Sequence, residues 1–436
     1  LARGRSPMTI LILFLAFAVC LLGGLPILWA MGISTIAALA FGPLSMPPAW
    51  LAQQILRGAD SIYLASIPLF LFSGELMNRG GLTRRLIAVA EFVFGRLTGG
   101  LGLVNVATAF VYGGISGSST ADTSAVAKLM IPAMASRGYP ASHAAAITAA
   151  SGTLGIIVPP SVVFILYGVL TNTSIGGLFL AGVIPGVLIA LAFMATTWFI
   201  AKRRGYGETL PPPSTGQFLR DLVMALPALF MPVFILGTIL SGLATTTEAA
   251  AFSVVYALAA GSLVYRELTF AEIGKAMVET ISGTGAVMLI VAVATPFAWI
   301  LTVEQAPQAA SLLIHHADAG PLGTVALVVL FLLFIGTWLD LGPAMIVLAP
   351  ILTPILREAG LAPLQIGVLF TVALGVGLYT PPVGTNLFVV CNIGRVSIGA
   401  VTRELVPFWI ASLVVIVLLV LFPGLSEWLP GLYGSR

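Results

Sequence analysis

Charged side chains are scarce in this chain. Asp, Glu, Lys and Arg make up 8% of its 436 residues, against roughly 25% in a soluble protein, so a water-soluble surface cannot be assembled from what remains. The net charge of +3 comes from so few groups that it defines no basic patch, which excludes nucleic acid and acidic partners. Cysteine is nearly absent: Cys20 and Cys391 lie in apolar runs without CxxC or Cys/His spacing, so neither a disulfide framework nor a metal centre is expected, and both read as small buried hydrophobes. Of the three histidines, His315 and His316 fall in a short loop and read as solvated, and His143 stands beside Ser142 at the start of an apolar segment. No Gly-Gly pair is followed by Gly-Lys-Ser/Thr, so there is no nucleotide loop. A GxSxG-like run surrounds Ser116, but it lacks a preceding strand and an acid–His partner set, and a hydrolase is excluded. An enzyme is not expected.

What is present is apolar sequence almost end to end. Hydrophobic residues are 59% of the chain, and a membrane-spanning helix needs about 20 of them in succession. The stretch after Leu1-Ala2-Arg3-Gly4-Arg5 resembles a signal peptide but lacks a small-residue cleavage pattern, and it reads as the first span; Leu1 is expected to be a processed or recoded start. Gly, Pro and charge clusters divide the sequence into apolar segments near 8–23, 25–42, 61–78, 99–136, 141–172, 175–201, 219–240, 247–266, 283–303, 322–357, 363–394 and 405–422. Segments 99–136 and 322–357 are long and interrupted by Gly, Ser, Thr or Asp, which predicts re-entrant hairpins. With the hairpins not crossing, Arg79, Arg84, Arg85, Arg96, Arg137, Lys202, Arg203, Arg204, Arg220, Arg266, Lys275, Arg395 and Arg403 fall on one side. Arg3, Arg5, Arg57, Arg357 and Arg436 fall on the other. The positive-inside rule then predicts ten crossings with both termini outside.

The chain also matches itself at an offset of 222. Gly114 pairs with Gly336, Pro132 with Pro354, Gly138 with Gly360, Gly155 with Gly377, Pro159-Pro160 with Pro381-Pro382 and Pro185 with Pro407. Each half would hold five crossings and a hairpin, and an odd number inserts the second half upside down, the inverted-repeat architecture of secondary transporters. The expected organisation is an all-α polytopic fold: a first repeat over 1–201 (hairpin 99–136, broken helix 141–172), a cytoplasmic joint over 202–218 with Pro211-Pro212-Pro213, and a second repeat over 219–436 (hairpin 322–357, broken helix 363–394).

Backbone inside a bilayer must be paired internally, so broken helices mark buried or water-lined places. The first hairpin turns at 113–122, and its partner helix carries Ser151-Gly152-Thr153 before breaking at Pro159-Pro160-Ser161. The second half offers Gly336-Thr337-Trp338-Leu339-Asp340-Leu341-Gly342, then Gly375-Val376-Gly377, then Thr380-Pro381-Pro382-Val383-Gly384-Thr385-Asn386. Freed carbonyls and hydroxyls suit hard cations, and helix N-termini at the same breaks suit an anionic substrate group. Asp340 and Asp122 are intramembrane carboxylates, costly enough to demand a role, although Asp122 also fits a cap of the second hairpin helix. Ser119, Thr120, Thr153, Ser161, Thr337 and Thr385 are the candidate substrate contacts. Glu248 reads as the closing member of a capping box, and Glu75 with Asn78 and Arg79 as an interfacial ion pair.

The runs GGISGSSTADTSAVAKLMIPAM (113–134), TAASGTLGIIVPPS (148–161), YGVLTNTSIGGLFLAGVIPG (167–186), GELMNRGG (74–81) and TPPVGTNLFV (380–389) resemble the large membrane (M) subunit of tripartite ATP-independent periplasmic, or TRAP, transporters. The resemblance extends over nearly the whole chain. It implies an ion-transporter-superfamily fold with scaffold and transport regions, elevator movement, coupling to Na+ and residence in the bacterial inner membrane. It implies as partners a small four-helix membrane (Q) subunit and a periplasmic substrate-binding (P) protein that delivers a carboxylate. Na+-site roles carry over onto Ser116, Gly117, Ser118, Ser151, Gly152 and Pro159, and onto Gly336, Asp340, Gly377, Thr380 and Asn386. Thr385 departs from the family pattern, in which an apolar residue follows Val-Gly. No segment resembles the delivery protein or the small subunit, so separate polypeptides are expected for both; a self-contained ion-coupled carboxylate carrier is the open alternative.

Overall fold

The structure, a computed structural model of the chain, describes residues 7–44, 46–207, 215–309 and 320–433. Leu1, Arg3, Arg5, Pro211-Pro212-Pro213, His315, His316 and Arg436 lie outside the described residues. Every regular element among the described residues is helical, the solution that pairs each backbone group within its own segment when side chains are mostly hydrocarbon. In the first half these are α1 (Pro7–Leu22), α2 (Ile27–Phe41), α3 (Pro48–Ala59), α4 (Ser66–Arg79), α5 (Leu82–Phe94), α6 (Gly100–Ser116), α7 (Ser119–Ala135), α8 (Ala141–Ser151), α9 (Val162–Thr171) and α10 (Ile175–Arg204). The second half holds α11 (Thr215–Leu240), α12 (Thr246–Ala259), α13 (Phe270–Val303), α14 (Gly320–Gly336), α15 (Leu341–Glu358), α16 (Pro363–Gly377), α17 (Thr385–Gly394), α18 (Ile398–Leu421) and α19 (Gly424–Tyr433). Among the described residues six helices are long and apolar enough to cross a membrane: Ile175–Arg204, Phe218–Leu240, Thr246–Val264, Phe270–Val303, Leu341–Glu358 and Ile398–Leu421.

Helices α3, α5 and α19 lie outside the expected apolar segments; they are short, with polar or charged residues along one side. Helix α13 also begins earlier than the apolar segment 283–303. Residues 270–282 carry Glu272, Lys275 and Glu279 and so break the apolar run, yet they are helical and turn their carboxylates toward Arg79 on α4. That guanidinium lies 2.8 Å from Glu75, 2.7 Å from Glu272 and 2.7 Å from Glu279, which ties α4 to α13 across the two halves. Helix starts follow the usual side-chain chemistry: Thr245 and Glu248 close a capping box on α12, and Ser161, Ser174, Thr269 and Ser397 cap α9, α10, α13 and α18.

The halves share one core. Tyr167 of α9 packs on Phe370 of α16 with ring centres 5.7 Å apart, and its hydroxyl lies 3.2 Å from Thr353 on α15. Phe193 of α10 meets Phe408 of α18 at 5.6 Å, and Tyr379 reaches Ser412 at 2.7 Å. These aromatic side chains are fully buried, and their polar tips find partners inside the protein. The pairing is reciprocal. Arm α7 of the first hairpin packs on α17, the second piece of the second broken helix, while arm α15 of the second hairpin packs on α9, the second piece of the first.

Candidate functional site

The first hairpin turns between α6 and α7 over two residues. Gly117 adopts φ 65°, and a Cβ there would meet the Pro160 carbonyl oxygen at 2.8 Å, so the tip needs glycine on both counts. The Ser116 hydroxyl donates to the Asp122 carboxylate and accepts from the Ser118 N–H at 3.1 Å. Asp122 is wholly buried in the first turn of α7 and does not cap that helix; the cap position is Ser118. In the second hairpin the equivalent position, 222 residues on, is Asp340, the cap residue of α15. Both residues have extended backbone (φ −127°, ψ 111° and φ −63°, ψ 151°), and neither side chain makes a capping hydrogen bond.

Each tip rests on the break of its own half. Thr337 accepts the Val383 N–H at 3.1 Å, and Gly336 lies backbone to backbone against Gly377. The two Pro-Pro bonds at the breaks, Pro159-Pro160 and Pro381-Pro382, are cis. Asn386, at the start of α17, joins the halves: its fully buried amide donates to Ser119 Oγ at 2.7 Å and to the Ala149 carbonyl at 3.2 Å. A carbonyl can only accept, which fixes the amide's orientation and leaves Asn386 Oδ1 as an acceptor without a donor. Asp122 Oδ2 and Thr123 Oγ1 are likewise buried without a hydrogen-bond partner. Asp122 Oδ2 lies against Gly155, and Thr123 Oγ1 and the Asn386 amide nitrogen against Gly152, so all three side chains adjoin the 3₁₀ turn Gly152–Ile156. Other buried polar atoms, such as Thr9 Oγ1 and Thr197 Oγ1, also lack a partner; these three are set apart by sharing one turn.

A cavity of about 380 Å³ opens beside this cluster. Ser118–Ala121 line one side, and Asp340, Leu341 and Gly342 line another, so the N-termini of α7 and α15 both face the same space. Glu75 of α4 with Glu279 and Gly283 of α13 form the facing wall. A second cavity of about 440 Å³ shares Glu75, Ala121 and Glu279 with the first and continues past Arg79, Arg84 and Lys128.

The family model described as "Tripartite ATP-independent periplasmic transporter, DctM component" matches residues 14–425. This chain belongs to that family. The permease is 39% identical over 382 residues to the sialic acid TRAP transporter large permease protein SiaM of Vibrio cholerae, covering 88% of this chain and 89% of that one. It is 36% identical over 428 residues to the C4-dicarboxylate TRAP transporter large permease protein DctM of Pseudomonas aeruginosa, covering 98% and 100%. The crystal structure of the Alcanivorax borkumensis YdaH transporter shares its fold, with a TM-score of 0.59 at 16% identity over 95% of this chain and 98% of that one. The permease is thus an integral membrane transport protein and the large M subunit of a TRAP system.

The candidate residues of the permease fall into two groups. Ser116, Gly117, Ser118, Ser119, Thr120, Ser151, Gly152 and Asn386 gather around the first tip, where Pro159 sits buried beneath it. Gly336, Thr337, Asp340, Gly377, Thr380 and Thr385 gather around the second, where Thr385 Oγ1 lies 3.5 Å from Asp340. Ser151, Thr153, Thr337 and Thr380 donate to carbonyls of their own chain segment three or four residues back, at 2.8, 2.6, 2.8 and 2.6 Å, which leaves each oxygen's lone pairs as acceptors. Ser161 does not face the cavity; it bridges the break, donating to Ile156 O at 2.6 Å and capping α9. Thr123 and Gly155 belong to the first group, although nothing in the local sequence marks them. Thr123 could be found only through its position one residue after Asp122 on the buried side of α7, and Gly155 only through its repeat partner Gly377. Among the described residues no three His, Cys, Asp or Glu side chains come together; the acceptors here are mostly hydroxyl, amide and carbonyl oxygens.

Proposed function

We propose that this permease accumulates a small organic anion, a C4-dicarboxylate, sialic acid or similar carboxylate, by coupling its entry to Na+. The observation that carries this reading is the set of unpartnered buried oxygens on Asp122, Thr123 and Asn386 beside a cavity into which two helix N-termini open. Carboxyl, hydroxyl and amide oxygens are hard ligands that suit Na+, and converging N-termini suit a carboxylate. The cavity also carries Asp340, Glu75 and Glu279, which would repel that carboxylate in the absence of a cation. Cation and anion thereby favour each other's binding, which is the thermodynamic basis of coupling. Two relatives are named for sialic acid and C4-dicarboxylate transport, and both are carboxylates.

In this reading the two halves are inverted repeats over 1–201 and 219–436, the hairpins do not cross, and both chain ends face the periplasm. A periplasmic binding protein delivers the substrate, and a small four-helix membrane subunit completes the assembly. The region containing the hairpins and broken helices slides as an elevator past a scaffold that includes α4 and α13. Na+ entry supplies about 2.3 kcal/mol per charge per 100 mV before any concentration gradient is counted. The test is substrate accumulation in proteoliposomes holding the permease and both partners, with and without an inward Na+ gradient. Accumulation is expected only with the gradient, and equal accumulation without it would refute the coupling. Uptake by the permease alone would instead favour a self-contained carrier.

A further inference from the structure

A groove of about 710 Å³ runs along the outer face between α10 and α18, away from the transport cavity. Ala195, Phe199 and Ile200 of α10 and Pro407 and Ile410 of α18 form its walls, and Arg203 and Arg204 close one end. Helical spacing explains the lining. Thr196, Phe199, Ile200 and Arg203 recur at i, i+3, i+4 and i+7 and so share one face of α10. On α18 the residue one turn before Pro407 is Arg403, which is exposed and points the same way as the groove-lining Pro407 and Ile410. The groove is therefore apolar along its length and cationic at a single end, where α10 finishes in Lys202-Arg203-Arg204. At 30 residues, α10 is about 45 Å long, longer than the roughly 30 Å hydrocarbon core, so this basic end reaches the headgroup level while the walls stay at acyl-chain depth.

The two arginines are held differently. Arg204 Nη1 donates to both carboxylate oxygens of Glu404 at 2.8 Å and lies 3.4 Å from the Tyr206 hydroxyl, and Glu404 also meets His143 Nδ1 at 2.9 Å. Arg204 is thus fixed against the protein, and Glu404 offsets its charge. Arg203 is exposed and makes no ion pair among the described residues. Lys202 turns to the other side, with its ammonium 4.8 Å from the ring centre of Trp198. A largely apolar groove over the last turns of α10, with a free guanidinium at its mouth, suits the headgroup and upper acyl segment of one anionic lipid.

We propose that this groove holds a single anionic glycerophospholipid, with an acyl chain against Phe199 and Ile410 and the phosphate on Arg203. Basic pockets between membrane helices take such headgroups because each cation near the surface adds to the attraction. The experiment is native mass spectrometry of the purified permease with phosphatidylglycerol or phosphatidylcholine added at equal concentration. Wild type is expected to retain phosphatidylglycerol in preference to phosphatidylcholine. Arg203→Gln, an exposed change that leaves the packing intact, is expected to lower phosphatidylglycerol retention about fivefold, the equivalent of the ~1 kcal/mol contributed by one basic side chain. Ala195→Trp fills the groove and is expected to abolish retention of both lipids. Equal retention of the two lipids by wild type, or unchanged phosphatidylglycerol retention in Arg203→Gln, would overturn the proposal.

Discussion

A buried polar atom left without a partner costs about 1–3 kcal/mol, and three such oxygens belong to side chains that adjoin residues 152–155. A fold that keeps them together is carrying a standing destabilisation that a bound cation would relieve. Two side chains separate the structural from the functional contribution. Asn386 is fully buried and donates both to Ser119 and to Ala149, so Asn386→Ala strands two acceptors and is expected to lower stability by about 1–3 kcal/mol while abolishing accumulation. Asp340 meets Thr385 at 3.5 Å and the adjacent Leu341 N–H, both within its own tip, and faces the cavity. Asp340→Ala is expected to leave the melting temperature and partner association unchanged and still abolish accumulation. Uptake and thermal denaturation measured on both variants decide the matter, and uptake at the wild-type level in either would remove that residue from the site.

At the scale of elements, the hairpin tips and helix breaks belong to one another through close backbone approach. A Cβ on Gly377 would overlap the Gly336 carbonyl group, whereas Gly342, two residues beyond Asp340, faces open space. Gly377→Ala is therefore expected to push the second hairpin off the broken helix, with an overpacking cost of about 1–3 kcal/mol and loss of uptake, while Gly342→Ala leaves stability unchanged. Equal melting temperatures for the two variants would contradict the tight fit between tip and break. These breaks were legible in the sequence because Gly, Pro and Ser interrupt otherwise apolar runs, and the bilayer forbids such interruptions without a reason. The short helices α3 and α5 were not legible. A search for long apolar runs passes over Pro48–Ala59 and Leu82–Phe94, whose polar residues break every window although their periodicity is helical. The start of α13 was hidden for the same reason, since Glu272 and Glu279 look like loop residues until Arg79 is found to bind them. Contacts such as Asn386 with Ser119 join residues 267 apart in sequence and could be anticipated only through the repeat, which aligns positions without specifying which side chains touch.

At the scale of the whole molecule, the reciprocal packing of α7 on α17 and α15 on α9 makes the hairpins and broken helices a single interlocked body. Neither hairpin can move far without the opposite half following. The ion cluster of Glu75, Arg79, Glu272 and Glu279 binds α4 to α13, which pack against that body at α6 and α15. The transport cavity lies at the boundary between them, with Asp340–Gly342 on the interlocked side and Glu279–Gly283 on the other. If transport proceeds by sliding along this boundary, a bridge across it should stop the cycle without disturbing either unit. Gly283 and Gly342 both line the cavity, and added side chains at either would meet open space. In a background with Cys20 and Cys391 replaced by Ser, Gly283→Cys with Gly342→Cys is expected to transport normally until treated with a flexible thiol-reducible bifunctional reagent long enough to span the cavity. Uptake should then fall to background and recover on reduction, and each single cysteine should be unaffected by cross-linking. A doubly substituted permease that still accumulates substrate once its cross-link is verified by mass spectrometry would show that the two units do not slide past each other here, and the alternating step would have to be sought within the interlocked body itself.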